Sequence, residues 1–344
     1  MSVSAPPGTG IAVASNATPG SSPREQCARA ARGGAPLYRR AMGATGKVST
    51  LEPLVDSNVH LWDQHVNPVF WLTDRTAAKA LLGDYESLPD TYLLADYRTE
   101  TEGCGVRGIV WSDPGAADPV AAAEWVQRQD DGSGEVTGLV TLGDPASSDF
   151  AGLVERVRRI PLVRSVRVRF VEALTPGGSA TGSPLDDPRT MDNLALLARH
   201  GLVATIEAES RQLHLAARIA RELPDLRVVI DHFGWPTDLT DAGFQQHTER
   251  LDALAAEPNV ATRIDALGTV FGDWTTDGVR RWLLAAVEIF GAGRCMLGSD
   301  LPIERLRSGF RPLFDAYGEI FTHHSDAERQ MLGHGTAQRW YGAP

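Results

Sequence analysis

From residue 51 onward, short apolar and β-branched runs alternate with longer stretches of helical periodicity. The pattern predicts strands at 54–58, 106–111, 136–142, 165–170, 203–207, 228–231, 260–264 and 295–298. Most are continuous apolar runs without two-residue alternation, as in parallel strands covered on both faces. Helices are predicted near 119–129, 149–159, 188–200, 210–222, 244–256, 277–290, 308–321 and 326–341. Asp118-Pro119 and Asp187-Pro188 each place a capping carboxylate before a proline suited to a first helical turn. Eight such repeats in roughly 290 residues predict an α/β fold, a single (β/α)8 TIM barrel. An open doubly wound sheet is the alternative. It is disfavoured because no glycine-rich dinucleotide fingerprint follows the first strand.

Residues 1–50 break the pattern. They are rich in Gly, Ala, Ser and Pro and have no apolar periodicity, so they are expected to form a disordered basic tail ahead of a catalytic domain at 51–344. Arg39-Arg40 would suit a twin-arginine signal, but no apolar stretch of signal length follows. A transit peptide lacks its amphipathic helix, and Met42 is an alternative start.

Charge separates the two parts. The chain carries −11 overall. Arg24, Arg29, Arg32, Arg39, Arg40 and Lys47 against Glu25 make the tail +5, which leaves −16 for the remainder. An acidic domain argues against a nucleic-acid or anionic-membrane partner. No apolar run is long enough to span a bilayer. Three widely spaced cysteines, Cys27, Cys104 and Cys295, form neither a zinc pattern nor a disulfide framework, in keeping with a cytoplasmic protein.

Barrel active sites form at the C-terminal ends of the strands. The polar residues there are Asn58 and His60, Arg167 and Arg169, Glu207, Asp231 and His232, Arg263 and Asp265, and Asp300. His65, His200, His214, His247, His323, His324 and His334 fall in predicted loops or helices, where surface or capping roles are expected. Arg167 and Arg169 lie two residues apart and should share a face. They and Arg263 either bind a substrate carboxylate or pair with Glu207, Asp231 and Asp265. Trp62 and Trp71, with Phe70 and Trp111, either line the pocket or pack the barrel. Asp56 is expected to support the barrel or an arginine. The Gly/Ser-rich stretch 175–183 could be a lid or a plain loop.

Three segments carry a specific resemblance. Val55-Asp56-Ser57-Asn58-Val59-His60-Leu61-Trp62-Asp63 resembles the first-strand motif of the amidohydrolase superfamily, in its amidohydrolase-2 or lactonase-like branch. Val229-Ile230-Asp231-His232-Phe233-Gly234-Trp235-Pro236 and Arg294-Cys295-Met296-Leu297-Gly298-Ser299-Asp300-Leu301-Pro302 resemble its sixth- and eighth-strand motifs. Residues 331–342 resemble the closing helix, with Gly335-Thr336 where that branch usually has Asn-Ala. The resemblance implies His60 and His232 as site histidines and Asp300 as general base. It also implies an arginine at 167, and a position often held by lysine at 263. That branch contains hydrolases of sugar lactones and cyclic dicarboxylate lactones; wider relatives include zinc-dependent decarboxylases and hydratases.

The sequence departs from the pattern at Asn58, where the branch usually has the first histidine of His-x-His. Asn is a poor zinc ligand, so no metal is the expectation. His60, His232 and Asp300 are the ligand set if zinc does bind. Without a metal, water must be deprotonated as it attacks, which suits an activated ester and not an amide. The expected activity is therefore hydrolysis of a lactone of a small carboxylic or sugar acid, with an anionic small-molecule substrate. Asp300 is the base, His60 and His232 polarise the carbonyl, and Asn58, Arg167, Arg169, Arg263, Trp62 and Trp71 bind substrate. The alternatives are a lyase acting on an unsaturated or aromatic acid, and a non-catalytic binding descendant.

Overall fold

The computed structural model describes residues 51–130, 132–171 and 185–342. The basic tail and the 175–183 loop lie outside the described residues.

Eight strands form one parallel sheet in chain order: β1 (Leu54–Val59), β2 (Val106–Ser112), β3 (Val136–Leu142), β4 (Val163–Arg169), β5 (Val203–Glu207), β6 (Val228–Ile230), β7 (Val260–Ile264) and β8 (Cys295–Leu297). The sheet closes between β8 and β1. The Asp300 amide donates to the Asn58 carbonyl at 2.8 Å, and the His60 amide donates to the Leu301 carbonyl at 2.8 Å. Backbone groups of the expected site residues thus stitch the seam of the (β/α)8 TIM barrel.

The helices after successive strands are α1 (Leu94–Glu100), α2 (Pro119–Gln129), α3 (Phe150–Val157), α4 (Pro188–Arg199), α5 (Leu213–Glu222), α6 (Asp241–Ala255), α7 (Thr276–Phe290) and α8 (Phe310–Ile320). Seven begin and end near their predicted positions. Asp118 caps α2 by accepting from the Val120 and Ala121 amides, and Asp187 caps α4 by accepting from the Arg189 amide. The exception is α1, which the periodicity did not announce. It has seven residues with only Leu94 and Tyr97 buried, too short to show a repeating stripe.

The strands bury two layers. Val55, Val110, Val140, Val203, Val229, Ala261 and Met296 fill the barrel interior, and Trp340 and Tyr341 of the closing helix Thr336–Tyr341 plug its N-terminal end. The plug comes so close that a Cβ at Gly138 would stand 2.8 Å from the Tyr341 carbonyl oxygen, which explains glycine in mid-strand. Seven strands contribute an apolar residue to this inner cluster. On β4, Val166 and Val168 face the surrounding helices instead. That leaves Arg167 and Arg169 together on the inner face, as their spacing predicts.

Candidate active site

Among the described residues, five non-glycine residues have positive φ: His232 (51°), Phe233 (38°), Trp235 (37°), Ala266 (55°) and Asp300 (62°). All lie just past β6, β7 or β8. Left-handed backbone is costly for L-residues, and it concentrates where a site over-determines the chain. Here it turns His232 and Asp300 back over the barrel mouth.

Asp300 is the centre of one group. Its Oδ1 accepts from Asn58 Nδ2 at 3.1 Å and lies 3.0 Å from His60 Nε2. The His60 Nδ1 atom is 2.7 Å from the Ser112 carbonyl oxygen, which can only accept, so Nδ1 carries a hydrogen. Two bare lone pairs would repel at 3.0 Å, so one proton lies between His60 Nε2 and Asp300 Oδ1. Oδ2 of Asp300 has no hydrogen-bond partner among the described residues.

His232 is the centre of the other. Its Nδ1 is 2.7 Å from Asp265 Oδ1. Burial by itself would lower the imidazole pKa, but the Asp265 carboxylate outweighs it and holds His232 up to about 9. Burial likewise opposes ionisation of Asp265, and the His232 charge pulls that carboxyl down to about 2. The pair is ionic at neutral pH. Nε2 then also bears a hydrogen, and the 3.4 Å approach of Arg167 Nη2 is a contact between two donors. The perpendicular indole of Trp235 lies against His232, ring centroids 5.1 Å apart.

Below these groups runs a buried array of ion pairs. Arg167 Nε lies 2.8 Å from Asp231 Oδ2, and its Nη2 lies 3.4 Å from Glu207 Oε2. Arg169 Nε donates to Glu207 Oε2 at 2.8 Å. Burial again opposes ionisation of Glu207, but the two arginines pull it down to about 2. Arg263 is fully buried. It donates to Asp231 Oδ1 (2.7 Å), the Ser57 carbonyl (2.8 Å) and Ser112 Oγ (2.8 Å), and its guanidinium lies over the Tyr341 ring. All three arginines are paired with carboxylates. Glu207 is shared by Arg167 and Arg169, and Asp231 by Arg167 and Arg263.

Trp62 and Trp71 are also buried, with each indole N–H taken by a carbonyl: Trp62 by Pro89 at 2.9 Å and Trp71 by Pro114 at 2.7 Å. Phe70, beside Gly115 and Arg169, is the partly exposed aromatic of that segment. Asp56 supports the barrel. It accepts from the Ser299 amide at 2.7 Å and the Tyr97 hydroxyl at 3.0 Å, and burial pushes it up to about 7. His247 is a correction: it is not at the surface. It is buried between Phe233 and Trp282, its Nδ1 is 2.9 Å from Ser210 Oγ, and burial lowers it to about 4. Sequence reasoning gave no role to Trp235. The one signal was its place in the sixth-strand motif, three residues past His232.

A metal fits this arrangement poorly. His60, His232 and Asp300 would have to supply it. Yet an amide N–H of Asn58 and a guanidinium of Arg167 stand against Asp300 and His232, where a cation would need lone pairs. Among the described residues no three His, Cys, Asp or Glu side chains converge as a ligand set.

The sequence profile of the amidohydrolase family matches residues 55–343. The chain belongs to the amidohydrolase family. Within that family it is 27% identical over 293 residues to the uncharacterised protein y4mH of Sinorhizobium fredii, covering 84% of this chain and 98% of that one. It is 28% identical over 182 residues to an L-fucono-1,5-lactonase of Burkholderia ambifaria, 51% of this chain and 58% of the other. The barrel is similar to that of an amidohydrolase from Burkholderia multivorans solved with bound HEPES: TM-score 0.70, 22% identity, covering 85% of this chain and 99% of that one. In a second crystal form that protein holds zinc. The family makes this amidohydrolase a hydrolase, with lactonases among its relatives. No helix among the described residues is long and apolar enough to cross a membrane.

Proposed function

We propose that this amidohydrolase opens a lactone or a similarly activated cyclic ester, with Asp300 as general base. The observation that carries the reading is the division of labour at Asp300. Asn58 and His60 hold Oδ1, and Oδ2 is left for a water molecule. As the water oxygen bonds to the ester carbonyl carbon, its proton passes to Oδ2. The Nε2–H of His232, protonated through Asp265, offers a hydrogen bond to the developing oxyanion. His60 steadies Asp300 through the shared proton, its own ring held by the Ser112 carbonyl. Collapse of the tetrahedral adduct breaks the ring C–O bond. The leaving alkoxide takes the proton from Asp300, and a hydroxy acid is released. The donor character of Asn58 and Arg167 favours doing this without a metal.

The test is turnover of a panel of five- and six-membered lactones by the full chain, with metal content measured on the same sample. The reading requires ring opening that survives chelation and disappears in Asp300→Asn. Turnover that tracks a bound divalent ion, or decarboxylation of aromatic acids in place of ring opening, would sink it.

A further inference from the structure

We propose that the strand-end site selects an uncharged cyclic ester over one bearing carboxylates, an inference that rests on the lactone-hydrolase reading. A carboxylate substrate needs a cation that is not already neutralised, because transferring an unpaired charge into a buried site is costly. The cations at the strand ends are Arg167, Arg169, Arg263 and protonated His232. Facing them are Asp231, Glu207 and Asp265, in contact at 2.7–3.4 Å. His60 and Asp300 share a proton and together are neutral, so four cations face three carboxylates. Asp113, which acts on Arg169, supplies the fourth negative charge. The turn after β8 offers no cation either, since Arg305 faces Glu100 and Arg307 faces Asp273, each at 3.8 Å. Residues 172–184, which follow β4, contain Glu172 and neither Lys nor Arg. An entering carboxylate would therefore join an array that is already balanced.

Outside the ion-paired array, two neutral side chains at the site have polar atoms without hydrogen-bond partners. The Asn58 Oδ1 atom is buried and makes no hydrogen bond. The Trp235 Nε1 donor has no partner among the described residues, and its ring presents a flat apolar surface beside His232. An acceptor, a donor and an aromatic face suit the hydroxyls and ring carbons of an uncharged polyol lactone. The expected anionic substrate is replaced by a neutral one.

Calorimetric binding to the wild-type protein tests the charge preference without turnover. The probes are a polyhydroxylated δ-lactam and pyridine-2,4-dicarboxylate. The inference expects the lactam to bind at least tenfold tighter. Equal or tighter binding of the dicarboxylate, or no binding of the lactam, overturns it. Glu207→Gln adds a second reading. It removes one of the balancing charges beside Arg167 and Arg169, so the dicarboxylate should gain at least tenfold over wild type; no gain counts against the inference. Kinetics separate this idea from the hydrolase reading. If only dicarboxylate lactones are opened, the hydrolase reading stands and this inference fails. If the lactam binds but no lactone is opened, the hydrolase reading fails and the charge preference stands.

Discussion

His60 and Asp300 are joined twice across the seam of the barrel. Their side chains share a proton at 3.0 Å, and the backbone of the same two segments supplies the hydrogen bonds that close β8 onto β1. The base is therefore held by the same contacts that complete the fold, and its orientation cannot drift without opening the barrel. Asp300→Asn keeps the shape and removes the base. General-base catalysis contributes roughly 10²–10⁴-fold, so kcat on a responsive lactone should fall by that order while the thermal midpoint moves little. Wild-type turnover in the variant would rule out Asp300 as the base.

The pH dependence should follow His232. Its pKa is about 9 when folded, against about 6.5 in an unfolded chain. The Asp265–His232 pair therefore stabilises the fold fully below about pH 6.5, and that contribution is lost as pH rises through about 9. Activity that depends on Nε2–H should fade over the same alkaline range. Asp265→Asn removes the charge that holds His232 up, so the alkaline limb of kcat/KM should move toward neutrality. A limb that stays in place would separate His232 protonation from catalysis.

Asp56 should show the same sign in a lower pH window. Its folded pKa is raised from 3.8 to about 7, so the fold favours the protonated carboxyl, and stability is lost as pH rises between those values. Asp56→Asn retains an acceptor for the Ser299 amide and cannot ionise. Denaturant unfolding at pH 5 and pH 8 should show a smaller pH-dependent loss in this variant than in wild type. Equal losses would mean that the carboxyl ionises without strain.

Arg263 should behave as a structural ion-pair partner and not as a substrate ligand. Removing one member of a buried pair leaves the other uncompensated, which costs ~3–5 kcal/mol. Arg263→Met leaves Asp231 Oδ1 without its partner and the carboxylate with Arg167 alone, and should lower unfolding free energy by up to that order. If Arg263→Lys instead left stability intact and raised KM alone, Arg263 would be a ligand.

Much of the architecture was legible in the chain. Continuous apolar runs between capped helices announced the parallel barrel, and barrel geometry then collected Asn58, His60, Arg167, His232 and Asp300 at one end. The order of the strands needed nothing beyond the local pattern, because each strand pairs with its sequence neighbours. The short α1 and the buried position of His247 were missed. A seven-residue helix shows no repeat, and burial of one histidine depends on what packs over it.

The sequence by itself determined the fold, the family and the small set of polar residues that end the strands. Only the tertiary structure decided what those residues do to one another. An arginine on β4 meets Glu207 or Asp231 according to strand register and barrel closure, and both are set by contacts far apart along the chain. Asn58 and Asp300 are 242 residues apart and touch because the barrel closes there. Pairing ties the strand-end arginines to Glu207 and Asp231, since a buried charge is governed by its nearest opposite charge and not by its place in a motif.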